Sequence, residues 1–486
     1  MNLKNFDLTF IHLNDIHGRV NGENNSISFS KLFTFLETLR SDKRNGRVFV
    51  IDSGDTLHGT SFANLSKGES IVELFNSLKF DYATLGNHDF NFGYEQLKKL
   101  LNEQNYKTLA LNFVDNEKLN DKILPFDIIE INDFKICFFG LMTPETYYKT
   151  NSKNIKNLDF KNPIDSVKEL FNELKSEHID FYVGITHLGC DKTTEEDYQS
   201  IHLAKCFPEI NLILDGHSHT TIDKKLIINN ALISQTGNYN NKISLIKVKI
   251  DKINKEHLLE YKLLNKNDID LYEADIDIQN KIDKITKSQE NMLNSVIAKT
   301  KFPLIGDRDL VRKGETNFTQ LITDAILWKT KCDAVLINGG SIRDSIEAGD
   351  IKVGDIKNSI PFGNYIVIKK IQGSDLKLAL ENGLKGFPQN LGAMAQVAGL
   401  KVFFDSNKPP LNRIQNIVIN DTPLNLNNYY HIATTDFMAL GGEEYTSFIH
   451  GEELFSYPAV EDIVIEYIKK FGVNSTLSIV PRLITN

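Results

Sequence analysis

From its start to about residue 260 the chain alternates short β-type runs with amphipathic segments whose apolar residues return every three or four positions, a pattern that predicts a layered α/β or α+β domain. Strands are expected at Asp7–Leu13, Val48–Ile51, Tyr82–Leu85, Lys135–Leu141, Phe181–Ile185 and Leu212–Leu214, and helices at Phe29–Arg40 and Ser70–Leu78. From about Asp275 to Ala298 the pattern becomes one long polar helix without Gly or Pro. Its stripe is Ile278, Ile282, Ile285, Met292 and Val296, and it reads as a semi-rigid connector. A helix at Phe318–Trp328, a strand at Ala334–Ile337 and a further string of strands and glycines predict a second α/β or α+β domain.

Length agrees with that division. At 486 residues the chain is too long for one ordinary core. The expected organisation is a first domain over 1–270, a connecting helix over 271–299 and a second domain over 300–486. Apolar residues make up 41% and charged residues 24%, as in ordinary globular proteins. The net charge of −9, with no basic run to offset it, argues against duplex nucleic acid as a partner. A small phosphate ester is less constrained, because bound cations can supply local positive charge. No apolar stretch is long enough to span a bilayer. The four cysteines lack CxxC spacing and read as reduced thiols. MNLKNFDLTF has no signal-peptide core, so with Met1 as the natural start the chain is expected in the cytoplasm; a removed secretion signal would reverse this. It is expected to act as a monomer or weak homodimer.

Candidate chemistry sits where apolar strands end. LTFIHLNDIHG brings Asp15 and His17, VFVIDSGDTLHG Asp52 and Asp55, YATLGNHDF Asn87, His88 and Asp89, FYVGITHLG His187, and LILDGHSHT Asp215, His217 and His219. In open α/β sheets ligands gather beyond the carboxyl ends of strands, so segments distant in sequence can converge there. Carboxylate, imidazole and amide oxygen hold hard to borderline divalent cations. One Asp between two such cations can bridge them at roughly 3.5–4 Å, the paired arrangement used in phosphoryl chemistry.

NDIHG, DSGDTLHGT, GNHDF, THLG and GHSH together resemble the metallophosphoesterase superfamily. Their combination with NGGSIR, PFGN and ALGGEEY resembles the 5′-nucleotidase family over essentially the whole chain. The resemblance implies a four-layer αββα metallophosphoesterase domain, a connecting helix and a C-terminal α/β nucleotide-recognition domain. It implies two divalent metal ions (Zn, Mn, Fe or Mg). Asp15, His17, Asp55 and His219 would hold one; Asp55, Asn87, His187 and His217 would hold the other. Many extracellular relatives carry Gln or Asn at the position of His219. Asp52 is not carried over and reads as a support for its loop.

The implied reaction is in-line attack of a metal-activated hydroxide on a nucleoside 5′-monophosphate, with interdomain closure about the connecting helix. His88 would stabilise the transition state or protonate the leaving alkoxide. Many members have Asp where this chain has Asn91, and an amide cannot stabilise an imidazolium as a carboxylate does. Members with Asn there include hydrolases of 2′,3′-cyclic nucleotides. The alternatives are therefore a 2′,3′-cyclic phosphodiesterase/3′-nucleotidase or a hydrolase of nucleotide diphosphates or nucleotide sugars. In the second domain Arg312 and Arg343 match arginines that grip the phosphates, and Asn338 a base-contacting position beside Gly340. Phe362 and Phe437 match rings that sandwich the base. Glu443 stands where an Asp commonly bonds the ribose hydroxyls.

Overall fold

The fold is that of a computed structural model, in which the described residues are 5–23, 25–116, 121–150, 154–192, 194–251, 256–473 and 479–485. Residues 1–4, part of the segment read for a leader, lie outside them. The chain divides into two compact units, Met1–Lys287 and Ser288–Asn486.

Two sheets build the first unit. One has seven strands in the order Glu256–Asn265, Lys242–Asp251, Asn5–Leu13, Arg47–Asp52, Tyr82–Ala83, Lys107–Leu109, Ile123–Leu124. The other has six, in the order Leu226–Ile228, Ala231–Ser234, Ile210–Leu214, Phe181–His187, Phe134–Met142, Phe126–Ile131. Apolar side chains alternate between the two faces of each central strand. Leu8, Phe10, Phe49 and Ile51 from the first sheet meet Phe138, Val183 and Leu212 from the second, forming the core between the sheets. Ile11, Leu13, Val48 and Val50 face the opposite way, onto the helices Phe29–Ser41, Glu69–Leu78 and Tyr94–Glu103. Cys137, Phe139 and Leu141 face outward from the second sheet onto Pro163–Glu173 and Ser200–Cys206. Three apolar interfaces thus separate four layers, αββα. Strands buried on both faces read as the continuous apolar runs noted above. Phe10, Phe49 and Phe138 are fully buried against one another, and truncating such a side chain to Ala typically costs about 3–5 kcal/mol.

The central strands run parallel within each sheet, so their carboxyl ends share one edge. The ladder of the third predicted strand ends at Ala83, two residues short of Leu85. There Thr84 turns its hydroxyl to Leu109 O and only its N–H continues to Asp52 O.

The predicted connecting helix is shorter than its pattern: it covers Ile276–Leu293, and Val296–Thr300 is a strand paired antiparallel with Gly349–Lys352. Ile278 and Ile282 are buried, whereas Met292 and Val296 are exposed. The β-branched pair Val296–Ile297 follows Asn294–Ser295, and the ladder wins over a stripe with little left to bury. The second unit holds a five-stranded sheet in the order Ala395–Ala398, Ala334–Asn338, Tyr429–Thr435, Tyr365–Gln372, Glu452–Ala459. It also holds a four-stranded sheet centred on Ile414–Ile419 and Leu400–Phe404. The helices Asn317–Thr330, Gly373–Leu384 and Val460–Phe471 pack on them around one core. All four cysteines are free thiols. Among the described residues no helix is long and apolar enough to cross a membrane.

A buried polar link crosses the sandwich of the first unit. His12 Nδ1 lies 3.1 Å from Ser234 Oγ and Nε2 lies 3.0 Å from Ser53 Oγ. Burial pulls this imidazole down to about 3, against the raising pull of Asp15. Below the ordinary His value the unfolded chain therefore takes up a proton that the folded chain refuses. Stability is complete above about pH 6.5 and falls as pH drops from there towards 3. At pH 5 the loss from this group is about 2 kcal/mol. Urea unfolding of chelator-stripped protein between pH 5 and 7.5 should show it, and His12→Gln should flatten the profile; an unchanged slope in the variant would assign the acid sensitivity elsewhere.

Candidate functional site

Seven side chains read from the sequence as cation ligands all project from the shared strand edge, and two groups form. In the first, His17 Nε2 and His219 Nε2 lie 3.2 Å apart and Asp15 Oδ1 lies 3.3 Å from His219 Nε2. Asp15, His17 and His219 offer ligand atoms within 4.8 Å of one another, as do Asp55, His187 and His217 in the second group. Asp15 is oriented by its other oxygen: Oδ2 accepts from Asn14 Nδ2 at 2.7 Å and from His217 N at 3.0 Å, while Oδ1 has no hydrogen-bond partner. Asn238 Nδ2 lies 3.0 Å from His219 Nδ1. For His219 Nε2 to receive a cation its hydrogen must move to Nδ1, and an end-for-end turn of the Asn238 amide presents the oxygen that accepts it.

His187 decides the nature of the second group. Its Nδ1 lies 2.6 Å from Ser53 O, an atom that can only accept, so Nδ1 carries hydrogen and the neutral ring has its lone pair on Nε2. That Nε2 is buried, without a hydrogen-bond partner, and 3.2 Å from Asp55 Oδ2. A lone pair and a carboxylate at this separation need a cation between them. Without a metal it is a proton: burial alone would depress His187, but Asp55 overturns that and lifts it to about 10. Burial likewise pushes Asp55 up, and His187, His88 and His17 outweigh it to hold the carboxyl well below its usual range. Asn87 Oδ1 is a further buried acceptor without a partner. Three orphaned buried atoms (Asp15 Oδ1, Asn87 Oδ1 and His187 Nε2) are the donor set expected of divalent-cation sites.

The backbone is strained at the same residues. Asp15, His17, Asp55, His217 and His219 all have φ between 48° and 84°, a left-handed conformation costing a non-glycine residue about 1–2 kcal/mol. Such strain clusters at functional sites, where the surroundings over-determine it. Here the loops hold one another: Asp15 N donates to Gly54 O and His17 N to Asp55 O. Asp89, read with its neighbours as a ligand-type residue, braces them instead. Its carboxylate accepts from the N–H groups of Asp55, Thr56, Leu57 and Gly86. Asp52 accepts from Thr56 Oγ1 and Gly54 N, and Asp215 from Thr186 Oγ1, Leu188 N and Gln235 Nε2. Gly86 is required by close approach, since a Cβ there would lie 2.1 Å from Asp55 Oδ1.

His88 is buried beside this cluster, its N–H donating to Asp55 Oδ1 at 2.7 Å. Asn91 Nδ2 lies 3.0 Å from His88 Nδ1; donating there, the amide leaves the ring hydrogen on Nε2. Burial drives His88 well below the ordinary imidazole range, Asp55 being the main opposing influence.

The second unit assembles its own group. Asn338 ends a central strand with Oδ1 unpartnered, and Gly340 N donates to Gly392 O at 2.9 Å. A Cβ at Gly340 would lie 2.8 Å from that carbonyl. Arg343 stacks over Phe362 at 4.7 Å, and Phe362 and Phe437 remain 38% and 44% exposed, unusual for Phe. Asn364 Nδ2 donates to Asp436 Oδ1 at 2.8 Å, tying the segments that carry the two rings. Arg343 is depressed by burial and by the charges of Arg312 and Arg308, with Glu443 opposing. Arg312 Nε is buried and unpartnered. A guanidinium stacked on an open aromatic face, within the influence of two further arginines, suits an anionic aromatic ligand.

Two family comparisons agree with this geometry. Residues 8–221 match Calcineurin-like phosphoesterase, and residues 296–450 match 5′-nucleotidase, C-terminal domain. The chain belongs to the 5′-nucleotidase family. It is 27% identical over 508 residues to a 5′-nucleotidase of Vibrio cholerae, covering 93% of this chain and 90% of that one. It is 27% identical over 517 residues to the trifunctional nucleotide phosphoesterase protein YfkN of Bacillus subtilis, covering 96% of this chain; the chain spans about a third of that protein's length, 34%. The NAD nucleotidase of Haemophilus influenzae shares the fold, with a TM-score of 0.75, 20% identity and 100% of each chain covered.

Membership of the 5′-nucleotidase family makes the chain a metal-dependent phosphoric-ester hydrolase, and its metallophosphoesterase fold implies divalent metal ions. Sequence reasoning missed two features of this family member. Arg308 lies four residues before Arg312, one helical turn away, and no motif marks it. Glu145 follows the strand Phe134–Met142 by three residues, so the rule that located the other strand-end ligands could have found it. It is buried, with Oε2 2.8 Å from His217 Nε2.

Proposed function

We propose that the chain hydrolyses nucleoside 5′-monophosphates to nucleoside and phosphate. The observation that carries this reading is Arg343 stacked at 4.7 Å over the exposed Phe362 ring, on a segment tied to the one that carries exposed Phe437. Open rings suit an aromatic base, and the guanidinium beside them suits a phosphate on the same small ligand. Similarity to the Vibrio 5′-nucleotidase along most of its length supports it. On this reading Asp15, His17, Asp55 and His219 hold one cation, and Asp55, Asn87, His187 and His217 the other. Two bound divalent ions (Zn, Mn, Fe or Mg) supply Lewis-acid activation of water and neutralise charge on the phosphoryl oxygens. Asp55 holds the site's negative charge between the two imidazole pairs. His88 presents Nε2–H to the leaving oxygen or to a phosphoryl oxygen, with Asn91 fixing the ring. Asn338 and Glu443 orient the nucleoside.

Asn91 favours a second reading. A neutral amide beside His88 gives an imidazole that donates a hydrogen bond without becoming strongly cationic, which suits a 2′,3′-cyclic diester as well as a monoester. The test is a Mn²⁺-supplemented assay over nucleoside 5′-monophosphates, 3′-monophosphates, 2′,3′-cyclic nucleotides, nucleotide diphosphates and nucleotide sugars. The 5′-monophosphates are expected to give the highest kcat/KM. Turnover of cyclic diesters with none of 5′-monophosphates would replace the first reading by the second.

A further inference from the structure

The short segment after the strand Phe134–Met142 touches the cation groups at two points. Thr150 Oγ1 donates to Asn87 O at 2.5 Å, and Glu145 Oε2 lies 2.8 Å from His217 Nε2. Glu145 is itself held. Lys149 Nζ lies 2.9 Å from Oε2, and Glu195 N donates to Oε1 at 3.2 Å. Lys149 Nζ also lies 3.2 Å from His217 Nε2, but it is nearer to Glu145 Oε2. A carboxylate oxygen 2.8 Å from Nε2 can only accept, and a lone pair there would face its charge, so the hydrogen of a neutral His217 sits on Nε2 and the lone pair on Nδ1. His187 is fixed oppositely, with hydrogen on Nδ1 and lone pair on Nε2, by the Ser53 carbonyl. The two rings pack edge to face at 5.1 Å. A cation held by this group would then meet different nitrogens of its two imidazoles, each set by the acceptor behind the ring. Carboxylates in that position orient ligating imidazoles and raise their basicity.

We propose that Glu145 is a positioning residue: it fixes His217 as an Nδ1 ligand, and Lys149 keeps the Glu145 carboxylate in place. The proposal rests on the two-cation reading above, and the experiment separates their failures. Full-length chain is stripped with chelator and titrated with Mn²⁺ and Zn²⁺ by calorimetry, with bound metal counted after dialysis. Wild type, Glu145→Gln and Glu145→Ala are compared, with melting curves to verify folding. Wild type is expected to bind two ions. Glu145→Ala is expected to weaken one of the two by about 10–100-fold and leave the other unchanged. Glu145→Gln keeps an acceptor without the charge, should fold as wild type, and should fall between. Side-chain ¹⁵N spectra of stripped protein should place the His217 hydrogen on Nε2 in wild type and Glu145→Gln. Wild type binding no metal would remove both the two-cation reading and this one. Two ions in wild type with unchanged affinities in both variants, or a wild-type His217 hydrogen on Nδ1, would overturn the positioning role alone.

Discussion

Asp55→Asn is expected to lower kcat/KM by at least about 10³-fold, roughly 4 kcal/mol of transition-state stabilisation, and to reduce bound metal below two ions per chain. The size follows from where the charge sits. Asp55 Oδ2 faces His187 Nε2 at 3.2 Å and Oδ1 accepts from His88 N at 2.7 Å, with His17 close enough to pull its proton affinity down. An amide can still accept from His88 N, so the loop should keep its course. It cannot supply the negative charge that bound cations would share with the imidazoles around Asp55. The fold should survive, because Asp89 still collects the N–H groups of residues 55–57 and Gly86. Asp52→Asn is the matched control. Asp52 is equally buried and only three residues away, but its carboxylate is taken up by Thr56 Oγ1 and Gly54 N. Its loss should cost less than about tenfold. Steady-state kinetics with metal analysis on both variants checks this. Full turnover and full metal in Asp55→Asn would dismiss Asp55 as the shared ligand.

The contrast between Asp52 and Asp55 shows how far the sequence could be read. Both end the same apolar run, and spacing alone assigns them the same chemistry; what separates them is backbone conformation, since Asp55 has a φ of 54° that turns its side chain into the site. The layered α/β character was legible because strands buried on both faces leave unbroken apolar runs, as at Phe134–Met142, whereas the count of four layers came from the family resemblance. The end of the connecting helix was not, because Val296 continues a helical stripe while its β-branched neighbours favour the ladder with Gly349–Lys352. Glu145 was overlooked for another reason: its place after a strand end was a signal, but one acidic residue in a Thr-Pro-Glu-Thr turn also looks like a cap, and its partner His217 lies 72 residues away. Arg308 was similarly hidden, as one exposed charge among several until the fold brings its charge to bear on Arg343.

His88→Ala is expected to cut kcat by about 10²–10⁴-fold, the range for losing a positioned proton donor, while leaving KM and bound metal near wild type. That split distinguishes it from Asp55→Asn, because His88 reaches the cluster through its backbone N–H, and alanine keeps that N–H. The leaving group then tells which oxygen the imidazole serves. A nucleoside alkoxide leaves poorly and needs a proton, whereas p-nitrophenolate needs little help. If His88 protonates the leaving oxygen, the deficit of His88→Ala should shrink sharply on p-nitrophenyl phosphate esters. Asn91→Asp supplies the complementary test. A carboxylate at the position of an amide 3.0 Å from Nδ1 would favour the imidazolium and raise the pKa of His88. A donor is active only while protonated, and its protonated fraction falls as pH rises through that pKa. The alkaline limb of kcat should therefore move to higher pH in Asn91→Asp. A deficit of constant size across leaving groups, together with an unmoved limb, would take the proton away from the leaving oxygen and leave His88 as a hydrogen-bond donor to the phosphoryl group.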